Sequence, residues 1–372
     1  MEILLASIIS FLITTLAIPP TIRFAQHFGL VDDPKKRPHP AHAHKEIIPR
    51  AGGLAICLGI ILTSLIFVPL EKYLIGIFIG IIVLIIVGLI DDKITGFNPY
   101  LRLLLLFMAA GIAVFSGIGI AFITNPLAGI PNLSSGWNSS IIRLDQIIIY
   151  INFLGPHKII VLADLFAFFW IVSVTQIINW SKGVDGQMPG ITGVAAITLG
   201  LLSLKFYNLG DPNQLNTAKL AFITAGASFG FLVFNWYPAK ILPGFSGSTI
   251  LAYMLAILAI LSTAKVATAL LVLAVPSVDF VYTFWRRILS GKSPVWGDRG
   301  HLHHRLLDLG WSHQKISLFY IAGSAMLGAV ALLVNTASKL FTVSLVAVVF
   351  AGFVLWINSF GELSKMPDPD NG

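Results

Sequence analysis

Two adjacent aspartates, Asp91 and Asp92, end an apolar run that begins near Tyr73. Carboxylates are strongly disfavoured inside hydrocarbon, so a pair at the end of such a run is expected at the membrane–water boundary. The two charges repel each other unless a cation or proton lies between them, and Mg²⁺ commonly binds one or two carboxylates together with substrate phosphates. The pair therefore indicates a metal–phosphate site, although two solvated carboxylates at a helix end are the simpler interpretation.

A cationic, histidine-rich loop lies late in the chain. Three imidazoles, His301, His303 and His304, fall within four residues and are flanked by Arg299 and Arg305. Histidine donates to phosphate oxygens, ligates metals, or acts as an acid or base near neutral pH. A zinc site is the alternative, but Zn²⁺ would have to bind among repelling arginines, which favours phosphate and sugar recognition. The same loop also contains Arg286, Arg287 and Asp298.

Three further polar loops carry candidate residues. Arg50 follows a run of three cations and suits phosphate, because arginine binds phosphate through two parallel hydrogen bonds. Asn179, Lys182 and Asp185 lie beside glycines and can supply a metal ligand, a phosphate cation and a carboxylate. Asn235 opens the next loop. Taken singly, each loop has a simpler explanation: topology-determining charge, a polar turn, or a helix N-cap.

The composition places these loops on a membrane protein. Of 372 residues, 56% are hydrophobic and only 11% are charged, against roughly 25% charged in soluble domains. A single cysteine, Cys57, excludes an internal disulfide framework and a cysteine metal cluster. We predict an all-α polytopic integral membrane protein of about eleven transmembrane helices. The predicted spans lie near 2–20, 51–70, 73–91, 101–123, 162–179, 190–207, 217–235, 249–263, 266–283, 316–335 and 339–358.

Basic residues divide unevenly when the connections are assigned alternately to two sides. One side carries 17 Lys and Arg and the other carries 7, which accounts for all 24. Basic loops stay in the cytoplasm, so the N-terminus is predicted outside and the C-terminus inside. All the loops described above then face the cytoplasm. These predicted active-site loops lie near 21–50, 91–100, 180–190, 235–248 and 284–315.

The longest external segment covers residues 124–161. Turn-forming residues come first, and Ile141 to Phe153 then alternates apolar and polar side chains, which predicts a small β-hairpin on the outer face. Residues 1–360 are expected to form one transmembrane domain. The tail at 361–372 is expected to be disordered.

Taken together, these motifs resemble a known family. The chain is similar to the polyprenyl-phosphate N-acetylhexosamine-1-phosphate transferases, of the glycosyltransferase family 4 type, over nearly its whole length. The resemblance rests on Pro49 to Gly53, Gly88 to Asp92, Asn179 with Gly183 to Gly186, Phe234-Asn235 with Pro238-Ala239, and Arg286 to Arg305. The split His-Leu-His-His spacing looks more like the N-acetylglucosamine branch than the muramoyl-pentapeptide branch.

The resemblance implies transfer of a sugar 1-phosphate from a UDP-sugar to polyprenyl (undecaprenyl) phosphate, with release of UMP. It implies Mg²⁺, with Mn²⁺ as an alternative, held by Asp91, Asp92, Asn179 and Asp185. The residues implied to be catalytic are Asp91, Asp92, Asp185 and His303. Substrate would contact Arg50, Lys182, Asn235, Arg286, Arg287, Asp298, Arg299, His301, His304 and Arg305. The expected setting is a bacterial-type plasma membrane, with a homodimer as the frequent family state and no nucleic-acid partner.

Two positions depart from the family pattern. Phe245 and Lys182 stand where the family usually has aspartates, so the site loses two carboxylates and gains a cation. A weakened relative that binds lipid phosphate or UDP-sugar without turnover is therefore the main rival. A secondary transporter is disfavoured, because it would place charges within the spans rather than in loops on one side.

Overall fold

A computed structural model describes residues 1–33, 46–94, 96–125, 141–152, 156–262, 265–291, 293, 300–334 and a few positions between 341 and 352. Twelve helices lie within these ranges. They are α1 Glu2–His27, α2 Gly52–Phe67, α3 Lys72–Lys93, α4 Pro99–Phe115, α5 Val161–Trp180, α6 Gln187–Asn208, α7 Gln214–Asn235, α8 Gly244–Leu261, α9 Lys265–Val272, α10 Ala274–Leu289, α11 Leu302–Asp308 and α12 His313–Leu333.

The predicted multi-pass membrane architecture is confirmed. Within the described part of the chain, seven helices are long and apolar enough to cross a membrane, or eight if the bent pair α9–α10 is one span. α2 and α4 are apolar but shorter. The count of eleven is not confirmed. The span predicted at 101–123 ends as a helix at Phe115, and the one predicted at 339–358 lies largely outside the described residues, as does the 361–372 tail.

Three short antiparallel strand pairs complete the described fold. The strands are β1 Val31–Asp32, β2 Ile48–Pro49, β3 Phe122–Thr124, β4 Ile141–Arg143, β5 Ile148–Asn152 and β6 Pro156–Ile160. The hairpin predicted within 141–153 is not confirmed in that form. β4 pairs with β3, and β5 pairs with β6, so the two halves of the predicted hairpin each have a different partner.

α8 is the central helix of the molecule. Its residues are apolar or small on every side, and they are buried from Gly244 to Ala259, as expected for a helix surrounded by others. α3 and α5 pack directly against it, and Trp170 of α5 donates its indole N–H to the carbonyl of Ala256 at 3.1 Å. The first turn of α8 lies at the end of α3, where the two aspartates are found.

A sharp bend separates α9 from α10. The two helices meet at Leu273 with an angle of 89°. Pro276 explains the break, because proline lacks an N–H and its ring collides with the carbonyl four residues earlier, which belongs to Val272. Proline is tolerated in the first turn of a helix, which is where Pro276 lies in α10. The bend turns α10 away from α9 and directs its basic end, Arg286 and Arg287, toward the candidate site.

Candidate active site

Asp92 lies at the N-terminal end of α8. Its Oδ1 accepts a hydrogen bond from the main-chain N–H of Phe245 at 2.9 Å, and its Oδ2 accepts one from the Ser246 hydroxyl at 3.2 Å. Arg50 approaches the same carboxylate at 3.3 Å. Asp92 is fully buried, and a buried charge needs such partners. The free N–H groups and the dipole of a helix N-terminus favour an anion at this position.

Gly244 allows Asp92 to approach α8. Its φ is +68°, a conformation that residues with a Cβ rarely adopt. A Cβ at this position would collide with the Asp92 carboxylate. The glycine therefore satisfies two requirements at once: the left-handed backbone and the close contact between α3 and α8.

The other members of the acidic cluster are also paired with arginines. Asp91 lies 3.0 Å from Arg102, and Asp32 lies 3.1 Å from Arg50. The β1–β2 pair fixes this second contact, since it aligns Asp32 with Ile48, two residues before Arg50. Arg50 therefore joins the first polar loop to the aspartate pair. Asp32 and Arg102 were not among the predicted site residues, because only the folded chain shows their pairing.

Lys182 extends into this cluster from the loop after α5. Its ammonium group donates to Asn179 Oδ1 at 2.8 Å, to Ser248 Oγ at 3.2 Å and to the carbonyl of Gly244 at 3.3 Å. The ring of Phe245 lies 5.5 Å from the same nitrogen. Burial, with repulsion from Arg50, lowers the pKa of Lys182 to about 8, and the nearby aspartates oppose this shift. The side chain therefore stays largely protonated near neutral pH.

Asp185 and Asn235 connect the Lys182 loop to the loop before α8. Asp185 Oδ2 accepts a hydrogen bond from the main-chain N–H of Ala239 at 3.0 Å. The main-chain carbonyl of Asp185 accepts one from the Ser317 hydroxyl of α12. Asn235 accepts from Gly186 N–H at 3.1 Å and donates to the Ile241 carbonyl at 2.9 Å. Both of these Asn235 contacts are to main-chain groups, so the side chain joins the two loops.

The histidine segment, residues 301–304, is held in place by Asp279 of α10. Asp279 Oδ2 lies 3.0 Å from His301 Nδ1, and its Oδ1 accepts the Leu302 N–H at 2.7 Å, which places a carboxylate at the start of α11. The His301 and His303 rings stack with centroids 5.5 Å apart, and those of His303 and His304 are 4.2 Å apart. Asp279 was not among the predicted site residues, although it lies one helix before the histidines.

His303 joins the two halves of the site. Its imidazole lies so close to Gly183 that a Cβ there would overlap the ring. Burial, together with repulsion from His304 and His301, holds the pKa of His303 well below its usual range, so the ring is neutral at pH 7. Gly183 directly follows Lys182, and Lys182 contacts Gly244 beside Asp92. The aspartate pair and the imidazoles therefore belong to one continuous cluster.

The arginines of the late loop surround the imidazoles. Arg287 lies over the Trp180 ring at 4.6 Å, and Trp180 in turn contacts His301 with ring centroids 5.6 Å apart. Arg305 donates to the Gly300 carbonyl at 3.2 Å, and Arg286 lies against the same glycine. The predicted residues Asp298 and Arg299 lie outside the described residues.

Comparison with known proteins decides the family of the chain. The family model for glycosyl transferase family 4 matches residues 74–263, just over half of the 372 residues. The chain belongs to glycosyl transferase family 4. The matched range contains the aspartate pair, the Lys182 loop and the whole of α8.

Curated relatives of this glycosyl transferase cover almost its whole length. A probable undecaprenyl-phosphate N-acetylglucosaminyl 1-phosphate transferase of Bacillus subtilis is 28% identical, over 96% of this chain and 88% of the relative. A decaprenyl-phosphate N-acetylglucosaminephosphotransferase of Mycobacterium tuberculosis is 26% identical, over 99% and 92%. A phospho-N-acetylmuramoyl-pentapeptide-transferase of Orientia tsutsugamushi is also 26% identical, over 84% and 87%.

The predicted metal ligands of this family 4 chain do not fit Mg²⁺ in their present arrangement. Among the residues that the structure describes, no three His, Cys, Asp or Glu side chains are grouped to hold a metal ion. Arg102 lies against Asp91, Arg50 against Asp92, and the Lys182 ammonium against Asn179. Mg²⁺ requires oxygen ligands at roughly 2.0–2.1 Å and would meet three positive charges here.

An apolar groove runs along α10 beside the late-loop arginines. It has a volume of about 640 Å³, and Arg286 is the charged residue in its lining. Its lining is almost entirely apolar. Two side chains of its wall, Val281 and Trp285, are 50% and 55% exposed. A groove with apolar walls and one cation in its lining suits an amphiphile with an anionic head. The lining includes Leu270, Ala274, Val278, Val281, Trp285 and Leu289.

Proposed function

We propose that this family 4 glycosyl transferase moves N-acetylglucosamine 1-phosphate from a UDP-sugar to polyprenyl phosphate and releases UMP. One observation carries the proposal: Asp92, Gly244, Lys182, Gly183 and His303 form an unbroken series of contacts. This series brings loops that are far apart in sequence into one polar site. The names of the Bacillus subtilis and Mycobacterium tuberculosis relatives support the sugar and the lipid. The product would be the first lipid-linked intermediate of a cell-envelope polysaccharide.

The reaction balances without an added oxidant or reductant. An oxygen of the lipid phosphate attacks the phosphorus that carries the sugar, and a new P–O bond forms. The bond from that phosphorus to the bridging oxygen breaks, and UMP leaves with the electron pair. Nucleophile, reaction centre and leaving group are all anionic. Catalysis of this kind depends on positioning and on neutralising the developing charge.

The cations around the aspartate pair fit that requirement. The side chains of Arg50 and Arg102 are 19% and 33% exposed, so part of each is accessible to a phosphate. Asp92 and Asp91 hold these arginines in fixed directions through the contacts described above. We therefore assign the aspartates a positioning role toward the arginines, and we assign the arginines and Lys182 the contact with phosphate.

The α10 groove fits the polyprenyl chain. Its apolar wall faces outward along a bent helix, so a lipid tail can lie against Val281 and Trp285. Arg286, which lines the groove and lies against Gly300, would then hold the lipid phosphate near the imidazoles. Burying apolar surface stabilises by about 25 cal/mol per Å², so a long isoprenoid chain contributes strongly to binding in such a groove.

The distribution of basic residues among the loops supports one orientation of the protein in the membrane. We propose a cytoplasmic site in a bacterial plasma membrane, with the N-terminus outside and the C-terminus inside, and a homodimer as the oligomeric state. The positive-inside rule supports the orientation, because the basic loops are those that form the site. The ion pairs of Asp32, Asp91 and Asp92 with Arg50 and Arg102 lie in these loops or at helix ends that adjoin them.

A binding protein without turnover is the second candidate function. The arginine pairs and the ammonium group in the place expected for a metal favour it, because they leave the proposed Mg²⁺ ligands engaged. One assay separates the two functions. Purified protein receives labelled UDP-N-acetylglucosamine and polyprenyl phosphate, once with Mg²⁺ and once with EDTA. Lipid-linked sugar phosphate and equal UMP support the transferase; bound nucleotide without product under both conditions supports the binding protein.

A further inference from the structure

The Lys182 ammonium group lies in a cradle of oxygen atoms. An ammonium has three N–H bonds, and each one here has an acceptor: the amide oxygen of Asn179 at 2.8 Å, the Ser248 hydroxyl at 3.2 Å and the Gly244 carbonyl at 3.3 Å. Amide, hydroxyl and carbonyl oxygens are also the ligand types that hard cations prefer. The Lys182 ammonium group therefore lies among the types of oxygen atom that bind hard cations.

Phe245 closes a further side of this cradle. Its ring is 5.5 Å from the Lys182 nitrogen and 5.6 Å from the Arg102 guanidinium, so two cations contact one aromatic ring. Phe245 is 2% exposed, which fixes the ring in place. An aromatic face attracts a cation by roughly 0.5–2 kcal/mol but offers no oxygen to a metal. This residue favours an organic cation over a divalent ion.

The ionic groups at the aspartate pair balance in formal charge without a metal ion. Asp32, Asp91 and Asp92 carry three negative formal charges, and Arg50, Arg102 and Lys182, which contact this pair or the adjacent Gly244, carry three positive ones. A divalent ion would add two positive charges. The aspartates already offset the charges of the two arginines and the lysine. Repulsion between like charges in a partly buried site is considerably stronger than in water.

We propose that Lys182 is the built-in counter-cation of this site, and that the site binds an organic diphosphate without a divalent metal ion. The two longer hydrogen bonds, to Ser248 and to Gly244, are the weaker ones, so a phosphate oxygen can replace them while the Asn179 contact holds the side chain. The diphosphate part of the proposal rests on the proposed function. The exclusion of the divalent ion from the cradle does not.

The test of the metal part uses Mn²⁺ as a spin probe on the purified full chain in detergent, after removal of metals with EDTA. We expect electron paramagnetic resonance to detect no Mn²⁺ bound to the wild-type cradle. The double variant Lys182→Asp with Phe245→Asp places two carboxylates beside Asn179 and Asp92 and should bind one equivalent. One equivalent on the wild-type chain that Asp92→Asn releases would overturn the proposal. If the double variant does not fold, the wild-type titration with its Asp92→Asn comparison still decides.

The test of the diphosphate part uses equilibrium dialysis with UDP-N-acetylglucosamine. We expect the same dissociation constant in Mg²⁺ and in EDTA. Lys182→Met keeps the length but removes the charge, and it should weaken binding about 10-fold, as expected for an interaction near 1.4 kcal/mol. Lys72→Met, at an exposed position at the opposite end of α3 from the aspartate pair, is the matched control and should leave binding unchanged. Binding that requires Mg²⁺ overturns this part, whereas no binding in either condition contradicts the proposed function and leaves the Mn²⁺ result standing.

Discussion

The carboxylate of Asp92 accepts the main-chain N–H of Phe245 at 2.9 Å, which ties the end of α3 to the first turn of α8. The two residues are separated by 153 positions in the chain. Their contact places a buried charge at a helix N-terminus, and Arg50 supplies the opposite charge at 3.3 Å. This relationship sets the position of the cations that we assign to phosphate binding.

Replacing Asp92 tests that arrangement directly. Asp92→Asn keeps an oxygen for the Phe245 N–H but leaves Arg50 with Asp32 as its remaining ionic partner. We expect transfer to fall by about 10²–10³-fold, because Arg50 loses the carboxylate that orients it toward phosphate, and losing one oriented charge-stabilising group usually costs this much. The measurement is product formation per folded protein. Asp145→Asn is the control, since it removes one member of an exposed pair with Arg143, and it should leave transfer unchanged.

Gly244 should be intolerant of any side chain. Gly244→Ala forces a Cβ against the Asp92 carboxylate in addition to the strain of φ +68°. Gly210→Ala is a matched control, because Gly210 also has a positive φ, of +102°, but nothing lies within 4 Å of an added Cβ. Backbone strain alone costs on the order of 1–3 kcal/mol. Thermal unfolding should therefore show a clearly larger loss for Gly244→Ala than for the control. Equal losses would contradict the close contact.

Asp279 should position the imidazoles without contacting substrate. Asp279→Asn keeps an acceptor for the Leu302 N–H but weakens the charged contact with His301. We expect kcat to fall at least about 10-fold while KM for the UDP-sugar changes little, because the loss concerns orientation rather than binding. Asp211→Asn, at an exposed turn where Asp211 accepts the Asn213 N–H, is the comparison and should leave both constants unchanged. A purely raised KM for Asp279→Asn would contradict this role.

The α10 groove should distinguish acceptors by chain length. Val281→Asn places a polar side chain on the groove wall, so a long polyprenyl chain loses apolar contact there. We expect KM for a long-chain polyprenyl phosphate to rise about 10-fold, and KM for a short isoprenoid phosphate to stay the same. Leu104→Asn is the control, since Leu104 is an exposed apolar residue of α4 that does not line the groove. The same increase for both acceptor lengths would mean that the chain lies elsewhere.

The sequence predicted the positions of the helices better than the contacts between them. Hydrophobic run length located nearly all of the described long helices and put the aspartates at the end of α3, because hydropathy is a local property. It could not show that Asp92 meets Phe245 or that Asp91 meets Arg102, since these contacts depend on how distant helices pack. It also missed the break at Leu273, because apolar length does not report direction, although Pro276 was a visible signal.

The strand region shows the same limit. Alternation correctly indicated extended chain near Ile141 and Ile148, but not which strands would pair. Strand partners depend on residues such as Phe122, which lies outside the alternating segment. The substitution of Lys182 and Phe245 for the family aspartates was visible in the sequence. Its consequence, an ammonium group held by three oxygen atoms, required the folded geometry.

A thiol cross-link shows whether the Lys182 loop and the histidine segment form one site. In a Cys57→Ser background, which removes the single native cysteine, Gly183→Cys and His303→Cys are combined and treated with a short bifunctional thiol reagent. We expect an intramolecular link in this chain, detected by mass spectrometry of the digest, and none in a matched chain with Gly210→Cys and His303→Cys. No link between positions 183 and 303, or equal yields in both chains, would contradict the shared site.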